Sequence, residues 1–428
     1  MIARLPYGRG FLACDLRGLK VFDLRPAVPR SRDPQSAVLH ALREPVEGPK
    51  LSQVAAGKGR AVVLVPDVTR KAQLPLVLPA LFAELDKAGI SGENVTLLVA
   101  CGTHPPAREE DLREHLGALS PGVRVVQHDA KDPAALVEVG TLDDGTPVRL
   151  NRLAVEAPLL VSVFTVQHHY FAGFGGGPKM VFPGVAGYQE IQKNHSRVVD
   201  LSSDPPRLHP DCQPGVLVGN PVADEILRVA RLRAADWALG LVLDQEGQVA
   251  WAGGGNWQKV WEAGIATARS WYEVAAGPFR RIVVSAGGYP TDHTLIQAHK
   301  AFDAASRFLA EGGEMLLLAE LAGGPGSPAM ASFLDDPDPG VIAAKLRENY
   351  VQYGHTTWRI VDKTRRFRVF LVTNLDPDLA QSLGFVPARN PQEVVDRFRE
   401  QAPGETVAVM AGVPVYPAAK RGEVVKGS

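Results

Sequence analysis

Short, unbroken apolar runs alternate with amphipathic stretches along the first half of the chain. Residues 61–65 (AVVLV) form a β-branched run that ends at Pro66-Asp67. Residues 74–88 carry apolar positions at helical spacing and close at Gly89. A second run, 95–100 (VTLLVA), leads into Gly102-Thr103-His104, and 108–116 reads as a helix stopped by Gly117. Runs at 123–127 and 158–166 (PLLVSVFTV) add two more strands. Strands apolar on both faces, with helices between them, predict a parallel sheet covered on both sides. After a proline-rich loop at 204–219 come a helix at 221–232, a hairpin from 238–243 and 249–251, and a helix at 256–274 that Gly277-Pro278 prevents from continuing. The alternation then starts afresh: strand 281–285, a helix running to 309, strand 315–319, helix 341–349, strand 369–373, helix 391–401 and strand 406–410. The pattern predicts an α/β chain of two domains, 1–275 and 276–428, each with a mostly parallel sheet flanked by helices.

Composition narrows the class. A chain of 428 residues exceeds one ordinary core, which agrees with two domains. With 46 basic against 47 acidic residues there is no long-range field to hold nucleic acid or an anionic membrane. Cys14, Cys101 and Cys212 are too few and too scattered for a disulfide framework or a CxxC metal knot, so a reducing cytoplasm is expected. The opening MIARLPYGRGFLACDLRG lacks the apolar core of a secretory signal, and no apolar run is long enough to span a bilayer. The closing Lys426-Gly427-Ser428 carries no signal.

The densest chemistry lies in 168–195, HHYFAGFGGGPKMVFPGVAGYQEIQKNH. Its three histidines can carry protons or hold a transition metal. Its glycines admit a close backbone approach to an anion, and Lys179 can serve as a phosphate charge or a nucleophile. The loop Gly173-Phe174-Gly175-Gly176-Gly177-Pro178-Lys179 is neither a P-loop nor a dinucleotide fingerprint, because Pro178 stands where a glycine belongs. Phe171, Phe174 and Phe182 argue against a solvated loop. His195 falls in a helix expected over 188–199, but one histidine cannot hold a metal alone, and no HxH or HExxH spacing supplies partners. Asp67-Val68-Thr69-Arg70 follows a strand, where Thr69 could cap the next helix and Arg70 could grip a carboxylate or phosphate. His104 could likewise be no more than a loop cap. Asp67, His104 and His169 each follow a strand end, where open α/β sheets bind ligands. Later in the chain, Gln297 and Lys300 share one helix face, and Trp358 reads as a core anchor.

Together these residues resemble the lactate racemase family, whose members use a nickel-pincer nucleotide. The resemblance rests on DVTR at 67–70, GTH at 102–104, HHYFAGFGGGPKMVFPG at 168–184, NH at 194–195, GGYP at 287–290, QAHKA at 297–301 and Trp358. It implies that Lys179 carries the cofactor covalently and that His195 completes the nickel plane, the cofactor supplying the other donors. His104 and His169 then match the two acid/base histidines. Arg70, Gln297, Lys300 and Trp358 match substrate-orienting or active-site residues, in a cleft between domains. Asp67, Thr69 and the loop of Gly173, Gly175, Gly176 and Gly177 match the cofactor's ribose and phosphate contacts.

The implied activity is inversion at C2 of a 2-hydroxy acid by reversible hydride transfer, with cofactor-synthesis enzymes as partners. The chain departs from the family at Pro178 and at Ile296, where lactate racemases carry a tyrosine near the substrate. A 2-hydroxy acid other than lactate is therefore expected, bulkier or with a second polar group. His168, His293 and His299 have no assigned role, although His293, four before Gln297, is placed to share its helix face. The other readings are a metal-dependent hydrolase using a metal such as zinc, and a non-catalytic phospholigand-binding protein.

Overall fold

The run Ala61–Pro66 is buried along its whole length and lies near the centre of a six-stranded sheet. A computed structural model describes residues 1–142 and 144–418; the closing tripeptide lies outside them. The chain divides into two compact units, one of Val28–Arg197 with Asp211–Ser270, the other of Met1–Ala27, Val198–Pro210 and the chain from Trp271 on. No helix among the described residues is long and apolar enough to cross a membrane.

In the first unit the strands lie in the order Val249–Gly255, Trp237–Leu243, Leu160–Thr165, Ala61–Pro66, Val95–Ala100, Arg124–Gln127. All neighbours are parallel except the outermost pair, a hairpin joining Trp237–Leu243 to Val249–Gly255. Val63, Val65, Leu97, Val161, Val163 and Leu239 pack with Leu74, Leu78 and Leu81 of the helix Leu74–Lys87. Each such side chain contributes about 1.5–3 kcal/mol by leaving water, which makes the order of the central strands hard to rearrange. From Ala61–Pro66 the chain builds the sheet toward Arg124–Gln127, and from Leu160–Thr165 it builds the other way. The order therefore reverses between Ala61–Pro66 and Leu160–Thr165, and ligands bind open sheets at the carboxyl ends of such a pair.

In the second unit all neighbours are parallel, in the order Val386–Pro387, Arg368–Val372, Leu309–Leu318, Phe279–Ser285, Thr406–Ala411, Lys20–Asp23. Both units thus carry the mostly parallel sheet that the hydrophobic pattern predicts. Several details differ. Lys20–Asp23 is an edge strand with no buried residue, so it has no apolar period to read, and it belongs to this sheet although it lies at the start of the chain. Leu309–Leu318 begins well before the apolar run at 315–319, because a register shift accommodates the polar Glu311-Gly312-Gly313. The long helix ends at Tyr272, and Glu273–Val274 turns into a strand pairing with Tyr416–Pro417. The helix carrying His195 stops at Ser196, since Val199–Asp200 pairs with Arg207–Leu208.

Candidate active site

Asp67 stands at the end of the central strand and is buried. Its Oδ1 accepts from the Thr69 amide at 3.2 Å and the Thr69 hydroxyl at 2.7 Å, while its Oδ2 pairs closely with Nδ1 of His104. Thr69 therefore serves the carboxylate and does not cap the following helix, whose cap position is Gln73 in a left-handed conformation. Burial alone would raise the Asp67 pKa; the His104 contact, the Arg70 charge and the Thr69 hydroxyl outweigh it and hold the carboxyl below its usual range. His104 follows the next strand, in a turn closed by its amide on the Cys101 carbonyl at 3.0 Å. The Arg70 guanidinium makes no hydrogen bond or ion pair among the described residues, and it remains available to an anion.

His169 follows Leu160–Thr165, in a two-residue ladder pairing His168–His169 with Gly173–Phe174. Its Nδ1 accepts from the Ala172 amide at 3.2 Å, and its Nε2 lies 3.4 Å from Nζ of Lys179. The loop between them is packed, not solvated: Gly173, Gly175 and Gly177 are buried. The glycines have a reason inside the fold. Gly176 and Gly177 have φ +70° and +52°, and a Cβ would fall 2.7 Å from the Thr165 carbonyl oxygen and 2.4 Å from the Trp261 ring. At Gly173, φ +70°, a Cβ would meet the Val216 carbonyl oxygen at 2.4 Å. The Gly175 amide is engaged by the Gln167 carbonyl at 2.7 Å, and its carbonyl accepts from the Trp261 indole at 3.1 Å. Gly177→Ala is expected to cost roughly 2–5 kcal/mol, combining backbone strain with overpacking. An unchanged denaturation midpoint would show that this packing is not needed. Lys179 is half-buried, and burial, followed by the nearby Arg70 charge, pushes its amine down to about 7.

His195 lies on the helix Tyr188–Ser196, 6% exposed, with its ring edge-on to Phe171 at 5.2 Å between centroids. Burial first, then the Lys179 charge, push its pKa down to about 3 against the pull of the Ile191 carbonyl, so the imidazole is neutral at physiological pH. Its Nδ1 is buried with no hydrogen-bond partner among the described residues. A buried, neutral nitrogen left without a donor or acceptor is suited to a metal. Among the described residues no group of three or more His, Cys, Asp or Glu is placed to hold an ion. A metal on this nitrogen would need its remaining donors from a bound group, and Lys179, whose charge acts on His195, has an amine lowered to about 7.

The helix is fixed by contacts that sequence spacing does not reveal. Asn194 Nδ2 donates to Glu225 Oε2 at 2.9 Å and Arg197 Nε to Glu225 Oε1 at 2.8 Å, so one buried carboxylate holds the residue before His195 and the residue two beyond it. Glu225 sits 30 positions from His195 with no local motif. Of the bystander histidines, His115 Nε2 meets the Pro66 carbonyl at 3.0 Å, and His128 bonds the Ala186 carbonyl and Asn151. Both are satisfied structural residues.

Gln297, Lys300 and Trp358 belong to the second unit. Gln297 and Lys300 do share a face of the helix Leu295–Ser306, where Lys300 Nζ donates to Gln297 Oε1 at 2.6 Å. His293 does not: it precedes the cap Thr294, and its amide bonds the Pro290 carbonyl. Trp358 is buried on the helix Gly354–Arg366, a strongly polar segment whose apolar side chains are confined to Trp358, Ile360 and Val361, although nine of its thirteen residues are buried. His299 is buried too, and burial followed by the Lys363 charge pushes it down to about 3.

With this geometry in view, the likeness to known proteins is specific. The lactate racemase N-terminal domain matches residues 7–204. The lactate racemase of Thermoanaerobacterium thermosaccharolyticum is 30% identical over 349 residues, 80% of each chain. That of Lactiplantibacillus plantarum is 27% identical over 372 residues, 85% of each. The structure of the lactate racemase apoprotein from T. thermosaccharolyticum superposes with a TM-score of 0.87 at 26% identity, covering 98% of this chain and 100% of that one. A crystal structure of a Thermotoga maritima protein shares the fold, with a TM-score of 0.63 at 19% identity over 92% of this chain and 99% of that one. Relatedness along four-fifths of the length, with the same fold throughout, leaves one conclusion: the chain belongs to the lactate racemase family.

Proposed function

We propose that this protein inverts C2 of a 2-hydroxy acid, as a racemase or epimerase, with His104 and His169 exchanging the hydroxyl proton. The observation that carries this reading is the gathering of Asp67, His104, His169, Lys179 and His195 in one unit, beyond the strand ends where the sheet order reverses. Lys179 would tether a nickel-pincer nucleotide, and His195 would give the metal its protein ligand. The Asp67–Thr69 turn and the loop of Gly173, Gly175, Gly176 and Gly177 would flank the nucleotide. When bound, that group supplies a reversible acceptor for a hydrogen with its electron pair.

The need for such chemistry lies in the substrate: the C2–H of a 2-hydroxy acid is a very weak acid, so taking it as a proton would require an unstabilised carbanion. The chain's own task is then geometry and proton traffic. Arg70 offers an unpaired guanidinium to the substrate carboxylate, and Gln297, Lys300 and Trp358 of the second unit match residues of the family that orient substrate or belong to its active site. One histidine must take the hydroxyl proton and the other return one on the opposite face, because inversion moves the hydroxyl across. His104 does this at Nε2, since its Nδ1 is engaged by Asp67. Loading depends on enzymes that build the nucleotide, and a cytoplasmic setting suits the three thiols.

Racemisation in deuterium oxide tests the reading. The recovered substrate is expected to keep its C2 hydrogen, and deuterium appearing at C2 at the rate of inversion would overturn it. A panel of enantiopure 2-hydroxy acids tests the substrate class. With Ile296 in place of a tyrosine, a larger acid is expected to turn over faster than lactate, and lactate outpacing every larger acid would refute that expectation.

A further inference from the structure

We propose that Asp67 and the Ala172 amide hold His104 and His169 in opposite tautomers, so that in the resting enzyme only His104 presents a lone pair at Nε2 to the substrate's hydroxyl. The assignment of roles rests on the racemase reading; the tautomers rest on hydrogen bonding alone. Asp67 is kept ionised, and an ionised carboxylate only accepts. Its Oδ1 is taken by the Thr69 amide and hydroxyl, which leaves Oδ2 for His104. Nδ1 of His104 must therefore carry the proton in that pair, and the neutral ring then has its lone pair on Nε2.

His169 is held the opposite way. The group facing its Nδ1 is the Ala172 N–H, at 3.2 Å, and an amide N–H only donates. Nδ1 must therefore offer its lone pair, and the neutral ring has its proton on Nε2. A main-chain amide has no second state to adopt, and the Lys179 amine, 3.4 Å from Nε2, accepts the Nε2 proton when it is uncharged. The resting enzyme thus has one ring ready to take the substrate's hydroxyl proton on Nε2, while the other presents an Nε2–H that hydrogen-bonds an oxygen and becomes a proton donor only once its Nδ1 has left Ala172 and taken up a proton. The enantiomer whose hydroxyl faces His104 finds the resting enzyme ready. Its mirror image needs His169 to leave Ala172 and change tautomer first.

The test is two-bond nitrogen–hydrogen NMR of the full-length apoprotein labelled with ¹⁵N-histidine, above the pH at which imidazoles lose their charge. His104→Gln and His169→Gln assign the two rings. The expected spectrum shows an Nδ1-protonated pattern for His104 and an Nε2-protonated pattern for His169. The same tautomer in both rings would overturn the proposal from the wild-type spectrum alone. In Asp67→Asn the His104 pattern is expected to move toward Nε2 protonation with His169 unmoved; an unmoved His104 would remove Asp67 from the account. Because no cofactor or substrate is needed, opposite tautomers in a protein that fails to racemise when loaded would sink the functional reading and leave this one standing.

Discussion

Lys179→Ala, produced alongside the enzymes that build the cofactor, is expected to have the mass of the bare chain and at least a 10³-fold loss of racemisation. A 10³-fold loss corresponds to about 4 kcal/mol of transition-state stabilisation. It follows from removing the only tether for the group that accepts the C2 hydrogen, since neither histidine can replace an electron-pair acceptor. The tether argument is physical. An ordinary lysine is almost wholly protonated at neutral pH and does not attack an activated carbonyl. Here burial, followed by the Arg70 charge, lowers the amine to about 7, so near neutrality a large fraction carries a free lone pair. Lys179→Arg should behave like the alanine variant, because a guanidinium keeps its charge and forms no such bond. Loss by unfolding is separable: Lys179 makes no ion pair among the described residues, so the melting temperature should move by only a few degrees. An alanine variant that retains the added mass would place the attachment elsewhere.

The second large effect belongs to the histidine pair. His104→Gln and His169→Gln should each lower kcat by about 10²–10⁴-fold, the usual worth of a positioned acid or base. The double variant should fall little further than the worse single one, since both protons must move for one inversion and residues acting as a unit are not additive. Glutamine preserves hydrogen bonding at both sites, so KM should change far less than kcat. A single variant within tenfold of wild type would mean that its ring neither takes nor gives the substrate's proton.

How much of this was legible before the structure depends on how local the cause is. Ala61–Pro66, Val95–Ala100 and Leu160–Thr165 were readable because strands buried on both faces are uniformly apolar, and Gly89 and Gly117 end their helices by short-range rules. Lys20–Asp23 was not, because an exposed edge strand has no hydrophobic signature; its place is decided by pairing with Thr406–Ala411, nearly 400 positions away. The helix Gly354–Arg366 is hard to read for a different reason: it is mostly polar, and the burial of His355, Thr356, Thr357, Arg359 and Lys363 is decided by tertiary contacts that composition does not announce. The candidate residues at the site could be named from their motifs, but their relations could not. Thr69 looked like a helix cap until Asp67 was seen to hold it, and His293 looked like a neighbour of Gln297 until the helix was seen to start after it.

By itself, the order of residues determined the α/β class, the strand ends that carry chemistry, and the family likeness, since these depend on periodicity and on side-chain identity. Only the folded chain decided that Asp67 faces His104, that Ala172 faces His169, and that Glu225 holds Asn194 and Arg197 on either side of His195. Each of these is a contact between groups whose partner or direction the backbone sets in three dimensions, and hydrogen bonding acts through distance and angle, which a linear pattern does not contain.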